Sequence, residues 1–188
     1  MTGAHTGEAG VEMGRVLLPI ARAVIARELG RSLPASEDAA WLRKIGACFV
    51  TLQQGERLRG CIGTLKAHRP LLDDVKANAR SAAFRDPRFP PLAADELERT
   101  TVEVSVLSGL ETITFKHEAQ ALSQLRPGVD GIVFEYGHHH STFLPQVWEN
   151  VPDPVEFMAT LKQKAGLPPD FWDAEVKLAR YTVSKWSE

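Results

Sequence analysis

Apolar positions change period along this chain, and the changes mark its elements. Val16, Leu17, Ile20 and Val24 recur at helical spacing and predict a helix that stops at Gly30. From Gly46 to Leu52 the period drops to two. A turn-like Gln53-Gln54-Gly55-Glu56 follows, and Arg57 to Gly63 returns, which predicts a β-hairpin. With Gln54-Gly55 at the centre of the turn, paired residue numbers sum to 109, so Cys48 is expected opposite Cys61 and Val50 opposite Arg59. Alternation then places Ala47, Phe49, Thr51, Leu58 and Ile62 on an ordinary core face. Cys48, Val50, Leu52, Arg57, Arg59 and Cys61 fall on the other face, whose mixture of apolar groups and guanidiniums suits a cleft wall.

A second helix is predicted from Pro70, with Asp73 and Asp74 in its first turn and Leu71, Leu72, Val75, Ala79, Ala82 and Ala83 along one stripe that should pack on the hairpin. Asp86 to Pro91 must be a stiff extended loop, because its prolines push the preceding residues away from helical dihedrals. Strands are predicted from Arg99 to Leu107, from Gly131 to Tyr136 and from Ser141 to Leu144, with a short helix near Glu118 to Gln124. The plainest helix follows Asp153, an N-cap with Pro154 and Glu156 after it, and stops near Gly166. Alternation from Val176 to Lys185 predicts one final strand. Hairpins interleaved with helices, without a repeating βαβ rhythm, indicate an α+β fold with a largely antiparallel sheet and flanking helices.

Composition narrows the function. A chain of 188 residues holds one good core or two small lobes sharing one. Its 22 basic and 24 acidic residues, net −2, argue against a dedicated nucleic-acid binder, although Arg57, Arg59, Lys66, His68 and Arg69 cluster locally. No apolar run is long enough to span a bilayer and the first ten residues lack signal-peptide features, so the expected location is cytoplasmic and the two cysteines are expected as thiols. Residues 1–12 are expected to be disordered, with 13–188 forming a single domain.

The chemistry concentrates in Leu58-Arg59-Gly60-Cys61-Ile62-Gly63, which sets a thiol near a guanidinium between two glycines. With Arg59 and Cys61 on one face, the positive charge would favour the thiolate, and Gly60 and Gly63 would permit a bulge or a close approach. A small, buried, inert cysteine is the plain alternative. Asp86 and Arg88 either line a pocket or form an ion pair that pins their loop, and Gln146 places an amide beside the second hairpin. His138, His139 and His140 suit an exposed hairpin tip better than a metal site, since only Glu135 stands near them as a further ligand. With no phosphate loop and no dinucleotide fingerprint either, no cofactor is expected.

The hexapeptide Leu58 to Gly63, together with Phe49-Val-Thr-Leu52, Ala83 to Leu92, Val102 to Leu107, Gly131-Ile-Val133, Phe143 to Trp148 and Lys164 to Leu167, resembles the AMMECR domain family, also called protein A of the AmmeMemoRadiSam system. The resemblance implies a larger lobe that gathers both chain ends and a smaller internal lobe, with the hexapeptide near a groove between them. It also implies, as partners, a Memo-like protein related to dioxygenases and a radical S-adenosylmethionine protein. The reading that follows is a binding or accessory subunit whose ligand, a small anion or a peptide, meets Arg59, Gly60, Gly63, Asp86, Arg88 and Gln146. The alternative is a thiol-dependent enzyme with Cys61 as nucleophile.

Overall fold

The periodic segments settle into two units in a computed structural model, whose described residues are 8–188. Along the chain run α1 (Glu8–Glu28), β1 (Ile45–Gln54), β2 (Arg57–Gly63), β3 (Arg69–Pro70), α2 (Leu71–Phe84), β4 (Thr101–Leu107), β5 (Glu111–Ile113), α3 (Glu118–Leu122), β6 (Gly131–Tyr136), β7 (His139–Phe143), α4 (Pro154–Lys164), β8 (Lys177–Tyr181) and β9 (Val183–Ser187). Short 3-10 turns lie at Ala40–Arg43, Ala94–Arg99 and Pro145–Glu149. The first unit comprises residues 8–107 with Ser184–Glu188, and the second comprises Ser108–Val183. The fold is α+β with two antiparallel sheets.

In the first unit the sheet order is β2-β1-β4-β9, with β3 pairing the start of β1. Its core joins Cys48, Val50 and Leu52 of β1 and Val102 and Val104 of β4 to Leu17, Ile20 and Ile25 of α1 and Val75, Ala79 and Ala82 of α2. Helix α1 ends as its sequence requires, with Gly30 at φ +76° and the Arg31 N–H returning to the Ala26 carbonyl at 2.9 Å. It starts earlier than expected: residues 8–12, read as disordered, are helical, and residues 1–7 lie outside the described part.

The hairpin corrects the expected register. Gly55, at φ +60°, takes the first turn position rather than the second, and near the turn Gln54 pairs with Arg57 and Gln53 with Leu58. Arg59 then stands as an extra residue, a β-bulge, after which Leu52 pairs with Gly60, Thr51 with Cys61, and Val50 with Ile62. Cys61 therefore faces Thr51, not Cys48, and the Cys48 carbonyl accepts the Thr64 N–H at 2.9 Å. The faces follow suit. Cys48, Val50 and Leu52 are fully buried on the core face, whereas Phe49, Thr51 and Cys61, on the opposite face, are only partly buried.

In the second unit the order is β5-β8-β6-β7, over a core of Ile132, Phe134, Trp148, Phe157, Leu161 and Leu178. Asp153 caps α4 as its sequence demands, its Oδ1 accepting the Glu156 N–H at 2.9 Å. The expected single C-terminal strand breaks at Thr182: β8 belongs to this sheet and β9 to the first. Thr182 and Ser108 bond each other where the chain enters and leaves the unit, the Thr182 N–H donating to Ser108 Oγ and the Ser108 N–H to the Thr182 carbonyl, both at 2.9 Å.

Candidate functional site

Strand β2 carries the hexapeptide at the end of its sheet, so one side of its main chain has no strand beside it. The bulge turns the Arg59 side chain toward the 3-10 turn at Ala94–Arg99. There Nε and Nη2 clasp the Glu96 carboxylate at 3.0 and 2.8 Å. Arg59 is only 8% exposed. Gln54 Nε2 and the Ala93 N–H donate to the same carboxylate. Arg59 foremost, with these donors, holds the Glu96 pKa down to about 2. Arg59 and Cys61 thus do not share a face, and the guanidinium expected beside the thiol is spent on an internal ion pair.

Cys61 has other neighbours. Its N–H donates to Asp86 Oδ2 at 2.9 Å and its carbonyl accepts Arg88 Nη2 at 3.2 Å. Asp86 is buried and holds Arg88 side-on, Nε to Oδ1 at 2.9 Å and Nη2 to Oδ2 at 2.7 Å. The Arg88 guanidinium keeps the Asp86 carboxyl well below the usual carboxylate range. The two residues that bracket Pro87 therefore form the ion pair that pins the loop, and they pin it to the hexapeptide. The Cys61 thiol accepts the Thr51 hydroxyl at 3.3 Å.

The chain matches the AMMECR1 family model over residues 18–186. It belongs to the AMMECR1 family. Among its relatives, protein MJ0810 of Methanocaldococcus jannaschii is 38% identical over 95% of this chain and 91% of its own. A protein of Methanothermobacter thermautotrophicus is 40% identical over 93% and 94%. The crystal structure of PH0010 from Pyrococcus horikoshii superposes with a TM-score of 0.78 at 34% identity, covering 94% of this chain and 92% of that one.

The two glycines of this AMMECR1 hexapeptide face protein atoms. A Cβ on Gly60 would lie 2.1 Å from the Ala82 carbonyl oxygen of α2, and one on Gly63 would lie 2.2 Å from the Phe49 ring. They are positions of close approach for a helix backbone and for an aromatic ring. Gln146 lies in the second unit, exposed in its 3-10 turn, with Trp148 buried behind it and donating to the Asp130 carbonyl at 2.7 Å. His138 occupies the β6–β7 turn while His139 and His140 enter β7, and among the described residues no group of three or more metal-ligating side chains forms.

One polar cluster escaped the sequence reading. Asp74, fully buried, accepts from the Cys48 N–H and Asn78 Nδ2 through Oδ2, and from the Thr64 hydroxyl and Arg69 Nε through Oδ1. It ties β1, α2 and the segment after β2 together. The signal was there: Asp74 and Asn78 stand four apart among Leu71, Val75 and Ala82, on a stripe that is otherwise apolar.

Proposed function

We propose that this AMMECR1 protein is a binding or accessory subunit that acts through the outer face of its hexapeptide strand, formed by Phe49, Thr51 and Cys61. The observation that supports this reading is the unequal use of the hexapeptide's groups. Arg59 and both glycines are committed to internal contacts, whereas Cys61 has its main chain clamped by Asp86 and Arg88 and is itself only half-buried. A clamped backbone presents one side chain in a fixed place at little ordering cost. The Arg88 side chain, 54% exposed, supplies positive charge toward an anionic small molecule or an acidic peptide.

The Memo-like and radical S-adenosylmethionine proteins are the partners this reading names. Titration calorimetry of each against the wild type and against Cys61→Ala and Thr51→Ala tests it. The expected result is binding that weakens in both variants while the melting temperature stays within a few degrees of wild type. Absence of binding to either protein, or equal binding by all three forms, rejects it.

The second reading, a thiol-dependent enzyme, draws on the Thr51 hydroxyl that donates to Cys61 Sγ. Attack by the Cys61 sulfur on the carbonyl carbon of an ester or amide would form the C–S bond as the C–O or C–N bond breaks, the thiol proton leaving with the alcohol or amine and the acyl group staying on Cys61 as a thioester. Trapping such an adduct by intact mass on the wild type, and not on Cys61→Ala, would favour catalysis over binding.

A further inference from the structure

Strand β2 ends its sheet, yet its main chain at Cys61 is not open to pairing. Thr51 and Cys61 are opposed residues, and the Cys61 N–H and carbonyl both point away from β1. Those are the groups an incoming strand would use. Asp86 Oδ2 stands where that strand's carbonyl would be, and Arg88 Nη2 stands where its N–H would be. One bidentate ion pair thus presents an acceptor and a donor to a strand edge, as a peptide does.

We infer that the Asp86–Arg88 pair is an edge lock, which holds β2 closed against antiparallel pairing with β2 of a second copy of this chain. The inference is independent of the proposed binding role. A second copy is the occupant that fits because the edge is self-complementary. A two-fold axis at Cys61 would exchange its outward N–H and carbonyl with those of its equivalent, as an isologous contact requires. Apolar side chains flank it, with Leu58 40% exposed and Ile62 partly buried. The two Cys61 Cα atoms would then be about 5.5 Å apart, within reach of a short thiol crosslinker.

The experiment is sedimentation velocity across a concentration series, with crosslinking by a short bis-maleimide, on the full chain as wild type, Asp86→Ala and Arg88→Ala. Wild type is expected to give only a low baseline of Cys61–Cys61 crosslink. Asp86→Ala, which frees the N–H and releases Arg88, is expected to raise crosslinked dimer roughly tenfold. Arg88→Ala frees the carbonyl alone and should fall between the two. Cys61→Pro placed on Asp86→Ala removes the outward N–H without costing a bond to β1, and should return the chain to wild-type sedimentation. Should Asp86→Ala fail to fold by circular dichroism, Arg88→Ala decides on the same readouts. Folded variants that sediment and crosslink like wild type overturn the lock, as does a wild type that crosslinks through Cys61 as readily as they do.

Discussion

The two faces of the β1–β2 hairpin are held in different ways, and the two cysteines report the difference. On the face beneath α2, Cys48 is fully buried, its N–H donates to Asp74, and Asn78 approaches its sulfur. Burial pushes that thiol well above its ordinary pKa, so it stays neutral. On the other face Cys61 is only half-buried, and its sulfur has a hydroxyl as neighbour. Main-chain contact fixes the first face; replaceable side chains dress the second. A hairpin can therefore be rigid on one side and chemically available on the other, and the hexapeptide contributes to both.

The strongest way to break this comparison is to put a side chain where backbone meets backbone. Gly60→Val drives its Cβ toward the Ala82 carbonyl oxygen of α2, an atom that has no rotamer to escape into. The expected cost is about 3 kcal/mol or outright failure to fold, at the upper end of overpacking penalties. Gly63→Ala meets the Phe49 ring instead, which can turn on its own χ angles. About 1 kcal/mol is expected there. Urea unfolding of the two variants measures both, and equal costs would mean that the outer face is as tightly built as the inner one.

Next in size is the Arg59–Glu96 clasp. Arg59→Ala leaves a carboxylate with only 15% of its side chain exposed, hydrogen-bonded by Gln54 and the Ala93 N–H and with the Arg99 guanidinium no nearer than 3.8 Å. A loss of about 1–3 kcal/mol is expected, where a purely ligand-facing arginine would cost nothing in stability. The pH dependence has a definite sign. Glu96 titrates near 2 in the folded protein against an ordinary value of 4.5. Its contribution is therefore complete above about pH 4.5 and is lost as pH falls from there toward 2, because the unfolded chain binds the proton first. Asp86 acts in the same direction. Chemical denaturation between pH 7 and pH 2 should show Glu96→Gln with a lower plateau and a flatter acid limb than wild type. An acid limb as steep as that of wild type would assign the loss to other carboxylates.

Much of this architecture was legible from periodicity because most elements obey one local rule at a time. The stop of α1 at Gly30, the Asp153 cap and the alternation of β4 and β6 each follow from residues within a turn or two of themselves. The hairpin register was not legible, because it depends on two single-residue events. One is which residue of Gln54-Gly55-Glu56 takes the first turn position; the other is the bulge at Arg59 that adds a residue to one strand only. The first changes the partners but leaves each side chain on its expected face, whereas the bulge slips the register by one residue and alone carries Cys61 to the face opposite Cys48. The final strand misled for a related reason, since alternation runs through Thr182 unbroken while the chain there passes from one sheet to the other. The site was legible as a list of residues and not as a set of pairs. Asp86, Arg88, Arg59 and Cys61 were all singled out, but the partner of Arg59 is Glu96, an acidic residue in an exposed-looking turn, and only the tertiary fold brings it there.

The smallest effects should separate the cysteines themselves. Cys48→Ala removes a sulfur from the packed face and leaves a cavity of that size, for an expected cost of about 1 kcal/mol. Cys61→Ala removes a sulfur from a face already partly open and should cost about 0.5 kcal/mol or less, since Asp86 and Arg88 bond to its main chain and not to its thiol. Alkylation of the native protein, mapped by peptide mass, reads the same contrast without mutation. Cys61 is expected to label directly. Cys48 should label only through opening of the hairpin from α2, so its rate should climb with added urea while that of Cys61 hardly changes. If Cys48 labelled in the native state as fast as Cys61, the core face would be opening far more often than its packing allows, and the division of the hairpin into a rigid side and an available side would fail.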